Sequence, residues 1–396
     1  MPQYHSLGEV PRKRHVQFRA PDGSLYSEHL MGEEGFSSES ALLYRKGSPA
    51  ALTGAEVVDD TGAGAQGLHE NQPLLPRHYK THDLKTGGDL VTDRHLLLGN
   101  ETCRIGYAAA ENDSPLYRDA IGDQLIYCES GSGTLLSEFG VLPFGAGDYV
   151  VVPAGTTSRW LVDPGETLRC LVVEARGHVV PPKRYLSDRG QFLEHAPYCE
   201  RDLRAPDRLV DDAEAEAAGA DVVVRTRGGL TRHTYAAPVF DVVGWDGCLY
   251  PYAFNIADFE PVVGRVHQPP PVHQTFEGPG FVVCSFVPRL FDFHPEAVPV
   301  PYNHANVDSD EVLFYTGGDF MSRAGSGIGQ GSISLHPAGF VHGPQPGSVE
   351  KALGKAGTDE VAVMVDTFGP LQLGQAAAGV EAEDYPWSWA RAAGRS

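Results

Sequence analysis

Between residues 304 and 342 the chain gathers the side chains best suited to metal chemistry. His304 precedes an acidic, alternating run and a carboxylate, Glu311, which opens the apolar segment Val312, Leu313, Phe314, Tyr315 before a glycine pair at 317 and 318. After a glycine-rich connection, a second short segment closes on Pro337, Ala338 and Gly339 and reaches His342. Alternation bounded by turn residues predicts two hairpin-like pieces that could each bring ligands to one point. Two imidazoles and one carboxylate on one face leave coordination positions open, which suits ferrous iron that must also bind O2 and a substrate. His304, Glu311 and His342 are therefore the expected ligands, with Glu311 preferred to the adjacent Asp310, and Fe(II) is the expected cofactor.

The intervals carry more weight than the residue types. His304 and Asn306 are followed after four residues by Glu311, and Gly318 follows Glu311 after six. Gly331, Pro337, Gly339 and His342 keep the intervals G-x5-P-x-G-x2-H. These runs resemble the two motifs of cupin barrels, G-x5-H-x-H-x(3,4)-E-x6-G being the first. Asn306 stands where many cupins have a second histidine, which leaves two histidines and one carboxylate. In a chain with 16 histidines, most cap or pack, so it is the spacing that singles out this set.

The elements that position such residues should be strands. Gly 46 and Pro 30 in 396 residues favour many turns and β structure over long helices. From about residue 97 short β-rich runs alternate with glycine turns, as in GDQLIYCESGSG and PFGAGDYVVVPAG. Laid over the later half, they reveal an internal repeat. Asp123 and Gln124 match Asp310 and Glu311, Gly131 matches Gly318, and Gly147, Pro153 and Gly155 match Gly331, Pro337 and Gly339. At the ligand positions the earlier copy has Tyr117 for His304, Asp119 for Asn306, Gln124 for Glu311 and Ser158 for His342. The expected fold is all-β, a bicupin of two jelly-roll-like barrels with an N-terminal arm and few short helices. Its expected divisions are an arm at 1–96, a metal-free barrel at 97–230 and a catalytic barrel at 231–396. Residues 51–88, including TGAGAQG at 61–67, look like loop, and DDAEAEAAGAD looks like a short surface helix. The aromatic tail DYPWSWAR should dock on the second barrel.

Composition excludes several classes of partner. The net charge of -21, from 52 acids against 31 bases, argues against nucleic acid or an anionic membrane. No apolar stretch approaches the roughly 20 residues of a membrane span, and the first residues begin no signal peptide. The six cysteines lie far apart without a Cys-x-x-Cys, so reduced thiols in a cytoplasmic enzyme are expected.

Beyond the cupin motifs, the sequence resembles the homogentisate 1,2-dioxygenase family over most of its length. The resemblance rests on LYSEHL from Leu25, LLYR from Leu42, and Gly244, Trp245, Pro251, Tyr252 and Asn255 in a GWxGxxxPYxxN pattern. It continues through Val287-Pro288-Arg289, PYNHAN from Pro301, Ser334-Leu335-His336 and His342-Gly343-Pro344. It implies opening of the homogentisate ring by O2 to give 4-maleylacetoacetate, a step of tyrosine and phenylalanine catabolism, with ferrous iron. It also implies a homo-oligomer built on trimers, up to a hexamer, with arm residues in the subunit contacts. A hydroquinone must lose a proton and bind a Lewis-acidic metal, and a neutral histidine can take and return that proton. His336, six residues before His342, is one candidate. The family's acid/base histidine resembles His267, followed by Gln268-Pro269-Pro270, and His273 stands beside it as the alternative. Two other readings remain open. One is a dioxygenase of a related hydroquinone such as gentisate, and the other a non-catalytic bicupin that binds a metal or sugar.

Overall fold

Runs rich in Val, Ile, Tyr and Phe become strands here because branched and aromatic side chains fit a pleated, largely buried surface. The computed structural model describes residues 3–58 and 67–392, so residues 61–66 of the TGAGAQG run lie outside the described residues. The repeat glycines explain themselves in the turns between strands. Gly131 and Gly318 have φ of 85° and 80°, and Gly147 and Gly331 have 87° and 77°, a left-handed region open to glycine at little cost. At Gly318 a Cβ would also stand 2.1 Å from the Asp359 carbonyl oxygen.

The first half is a sandwich. Strands Cys103–Ala110, Gln124–Ser130, Asp148–Val152 and Leu168–Ala175 lie in a nine-stranded sheet, and Leu116–Asp119, Ser132–Ser137, Gly140–Gly145 and Thr157–Val162 lie in a seven-stranded one. Between the two pack Ile126, Cys128, Phe144, Val150, Trp160 and Val172. The second half is built on a six-stranded antiparallel sheet in the order Gln274–Gly278, Phe281–Phe286, Val361–Thr367, Asp310–Gly317, Ser332–His336, Arg77–Lys80. This sheet packs back to back on the nine-stranded one, so alternate residues of each strand enter different cores. Tyr127, Tyr149, Phe276, Val312, Phe314 and Val363 share the core between the halves. Leu313, Tyr315 and Met364 cluster on the opposite face. That face forms the floor of the second barrel, and Glu311 lies on it.

The remaining wall of the second barrel consists of loops with two short pairings, Arg289–Leu290 with Gly357–Thr358 and His304 with His342. Proline recurs at 288, 295, 299 and 301 and cannot donate to a ladder. The segments anticipated as 1–96, 97–230 and 231–396 supply strands to one another's sheets. Arg77–Lys80 joins the second sheet, and Gln372–Gly374 and Tyr252–Asn255 join the first. Residues 51–88 are not all loop, since Leu52–Val58 and Arg77–Lys80 are strands; their pairing partners lie far away in sequence. The acidic run does form a helix, Asp212–Ala218, closed by a capping box between Asp211 and Glu214. The fold is an all-β bicupin.

Candidate metal centre

His304 and His342 form a two-residue antiparallel bridge, each N–H donating to the other's carbonyl at 2.8 Å. Paired in this way the two side chains leave on the same side, with ring centroids 4.4 Å apart. Each ring is oriented by its own backbone. Nδ1 of His304 meets the Tyr302 carbonyl at 3.0 Å, and Nδ1 of His342 meets the Phe340 carbonyl at 3.1 Å. A carbonyl only accepts, so Nδ1 carries the proton and Nε2 keeps its lone pair for a cation.

Glu311 faces those nitrogens from the sheet floor and adds a carboxylate to the donor set. Its Oε2 is 3.7 Å from His304 Nε2 and its Oε1 is 3.3 Å from His342 Nε2. One donor atom from each of the three lies within 4.8 Å of the others. Burial alone would raise the Glu311 carboxyl, but His304 and His336 hold it well below the usual carboxylate range. His342 Nε2 is buried without a hydrogen-bond partner, an arrangement that native interiors rarely leave unexplained. The donor set, its tautomers and this orphaned nitrogen fit a divalent metal. Asp310 stands outside that donor set, and each of its oxygens accepts one backbone N–H, from Ala338 and Leu371, at 2.8 Å. Asp123 makes the matching pair of bonds to Ala154 and Val179. The aspartate common to both repeats is therefore a frame residue.

The three anticipated acid/base histidines have different posts. His336 sits beside Glu311 on the neighbouring strand, fully buried. Its Nδ1 meets Glu311 Oε1 and its Nε2 meets the Tyr385 hydroxyl, both at 2.8 Å. Burial lowers its pKa to about 3, so the ring is neutral and both nitrogens are engaged away from the cavity. This corrects the expectation that it faces a substrate directly. His267 and His273 do line the cavity above the centre, a space of about 370 Å³. His267 is half-exposed at the rim, 5.3 Å from the Tyr302 ring. His273 is buried, packs on Phe286, and has no partner for its Nδ1; burial lowers its pKa to about 3.

Sequence reasoning missed several neighbours. Arg323 lines the cavity and is buried, donating to the Tyr315 hydroxyl at 3.0 Å and the Gly343 carbonyl at 2.8 Å. Among the described residues no carboxylate forms an ion pair with it. It sits on the short turn Met321–Arg323 inside a glycine-rich connection, where no periodicity marks it. Asp366 faces Glu311 from the other neighbouring strand, and burial, then Glu311, raises its pKa to about 8. The docking of the aromatic tail was visible in sequence, but not that Tyr385 would hold His336.

The first barrel repeats this geometry with other chemistry. Tyr117 and Ser158 pair as His304 and His342 do, and Gln124 faces Glu174 as Glu311 faces Asp366. Two arginines meet the carboxylates there. Arg225 bridges Asp119 at 3.2 Å and Glu174 at 2.5 Å, while Arg94 pairs with Glu174 at 2.8 Å and lies over the Tyr117 ring.

Comparison with known proteins adds a lineage to this geometry. Residues 24–256 match the family model for the N-terminal part of homogentisate 1,2-dioxygenase. The chain belongs to the homogentisate 1,2-dioxygenase family. A protein of Saccharolobus solfataricus named as a dioxygenase is 38% identical over 98% of each chain. The homogentisate 1,2-dioxygenase of Rhodopseudomonas palustris is 25% identical over 96% of this chain and 90% of its own. A cupin-2 barrel protein from Leptotrichia buccalis covers 74% of this chain and 95% of its own with a TM-score of 0.35 at 10% identity. As a member of the homogentisate 1,2-dioxygenase family the chain is a dioxygenase. No helix among the described residues is long and apolar enough to cross a membrane.

Proposed function

We propose that the protein is an Fe(II)-dependent ring-cleaving dioxygenase that converts homogentisate and O2 to 4-maleylacetoacetate, both oxygen atoms entering the product. The observation that carries this reading is the convergence of His304, Glu311 and His342 beside a cavity lined by His304, Glu311 and the buried cation of Arg323. Iron bound by those three residues would supply Lewis acidity, lowering the pKa of a coordinated hydroxyl, and open positions for O2. The chain's own residues do the rest. Arg323 lacks a carboxylate partner and offers a donor fork to the substrate's acid group. Phe286, Leu313 and Met364 form apolar walls for the aromatic ring. His273, buried and neutral, offers its Nδ1 as a hydrogen-bond partner that orients the substrate hydroxyl, and His267 at the rim is the group that takes and returns the hydroquinone proton. His336 acts indirectly, gripping Glu311 while Tyr385 grips it in turn.

The test is O2 consumption by protein loaded anaerobically with Fe(II) and offered homogentisate, gentisate and other hydroquinone acids. Homogentisate should be turned over fastest, with uptake of one O2 per substrate. Preference for gentisate would move the assignment to a related hydroquinone, and no uptake with any acid at full iron loading would end the enzymatic reading.

A further inference from the structure

One imidazole and two carboxylates converge a second time, away from the centre described above. Glu33 comes from the N-terminal arm, Asp123 from the residue before strand Gln124–Ser130, and His178 from the turn after Leu168–Ala175. One donor atom from each lies within 4.8 Å of the others. His178 Nδ1 stands 3.2 Å from Glu33 Oε1 and 3.5 Å from Asp123 Oδ1. That nitrogen is nevertheless buried without a well-formed hydrogen bond, the same signature that His342 Nε2 shows beside Glu311. A second orphan adjoins it. Tyr252 is 3% exposed and lines the same small cavity as Glu33, Glu39 and Asp123, and its hydroxyl has no partner among the described residues.

We propose that Glu33, Asp123 and His178 form a second metal site, for a divalent ion of the zinc or manganese class, which ties the arm to the first barrel. Mixed imidazole and carboxylate donors suit such ions. Asp123 is already oriented, because each of its oxygens accepts a backbone N–H at 2.8 Å and keeps a further lone pair. The competing occupant is a proton. Asp123 and then Glu33 raise the pKa of His178 to about 10, so a metal must displace that proton to bind.

Zinc binding to the full chain carrying His304→Ala and His342→Ala isolates this site from the first. About one equivalent should be retained against a weak chelator, with a zinc-edge anomalous peak between Glu33, Asp123 and His178. Adding Glu33→Gln and His178→Ala should abolish that equivalent and the rise in melting temperature that zinc produces. If the combined variant does not fold, Glu33→Gln alone carries the comparison and should weaken zinc binding at least about tenfold. A folded His304→Ala/His342→Ala protein that retains no zinc overturns the proposal and leaves a proton-bridged clamp. Zinc that persists unchanged after Glu33→Gln overturns it too.

Discussion

His304 and His342 are aimed by one device used twice, a ring nitrogen bonded to the carbonyl two residues earlier in the chain. Fixing both tautomers before any cation arrives removes an ordering cost from binding. Removing either ring should therefore abolish iron retention, while the melting temperature of the metal-free protein changes little. Full iron content in His304→Ala or His342→Ala would refute the ligand set. The neighbouring carboxylates should part company in the same assay. Glu311→Gln should lose iron, whereas Asp310→Asn should keep it and lose about 1–3 kcal/mol of stability, since its two amide partners are buried groups bonded to a charge. The reverse order would mean that the register is wrong. His273 offers a pH test with a definite sign. Burial lowers its folded pKa from 6.5 to about 3, so between those values the unfolded chain binds a proton that the folded chain refuses. Stability relative to His273→Gln should fall as pH drops below about 6.5, by up to about 1.4 kcal/mol per pH unit. A constant difference from pH 7 to pH 5 would count against a buried neutral ring. The candidate ligand set was readable in sequence because motif intervals mark it. Arg323 and Asp366 were not, because a glycine-rich connection carries the first and long-range strand pairing brings the second, and no local pattern records either.

The strand Asp310–Gly317 shows how one element serves two purposes. Its odd-numbered residues Glu311, Leu313 and Tyr315 face the cavity, and Val312 and Phe314 enter the core between the halves. Substitutions along it should alternate in effect. Phe314→Ala removes a ring packed edge-on to Tyr107 and Tyr127 and should cost about 3–5 kcal/mol in denaturant unfolding. Leu313→Phe enlarges a cavity wall and should raise KM for the aromatic acid while leaving stability within about 1–3 kcal/mol. If both substitutions acted mainly on stability, the strand would be in another register. Two-residue alternation was readable in the sequence, and so was the repeat that places Gln124 and Glu311 alike. Less readable was the second barrel's outer wall. Its prolines leave loops there, and strand propensity says nothing about how such loops fold back.

At the scale of the molecule, large apolar side chains stand exposed, among them Leu290, Phe293, Tyr302, Val307 and Val341. Leu290 and Tyr302 belong to the lining of the cavity above the candidate metal centre. Surface of this kind marks contact sites, and we propose a homo-oligomer built on trimers that covers it. Sedimentation should give a trimer or a hexamer, and a monodisperse monomer at micromolar concentration would sink the idea. The division of the molecule into halves was plain from the repeat. The exchange of strands between them was not, since Arg77–Lys80 and Gln372–Gly374 are too short to carry a pattern of their own.

That exchange bears on how the chain is made. Gln372–Gly374 pairs with His95–Gly99 in the first sheet, yet it leaves the ribosome about 270 residues later. Throughout synthesis the N-terminal half carries an open edge, the kind of surface on which nascent chains aggregate. Arg77–Lys80 likewise waits for Ser332–His336. The two barrels, although one is a copy of the other, must therefore complete their folding together once the whole chain has been released.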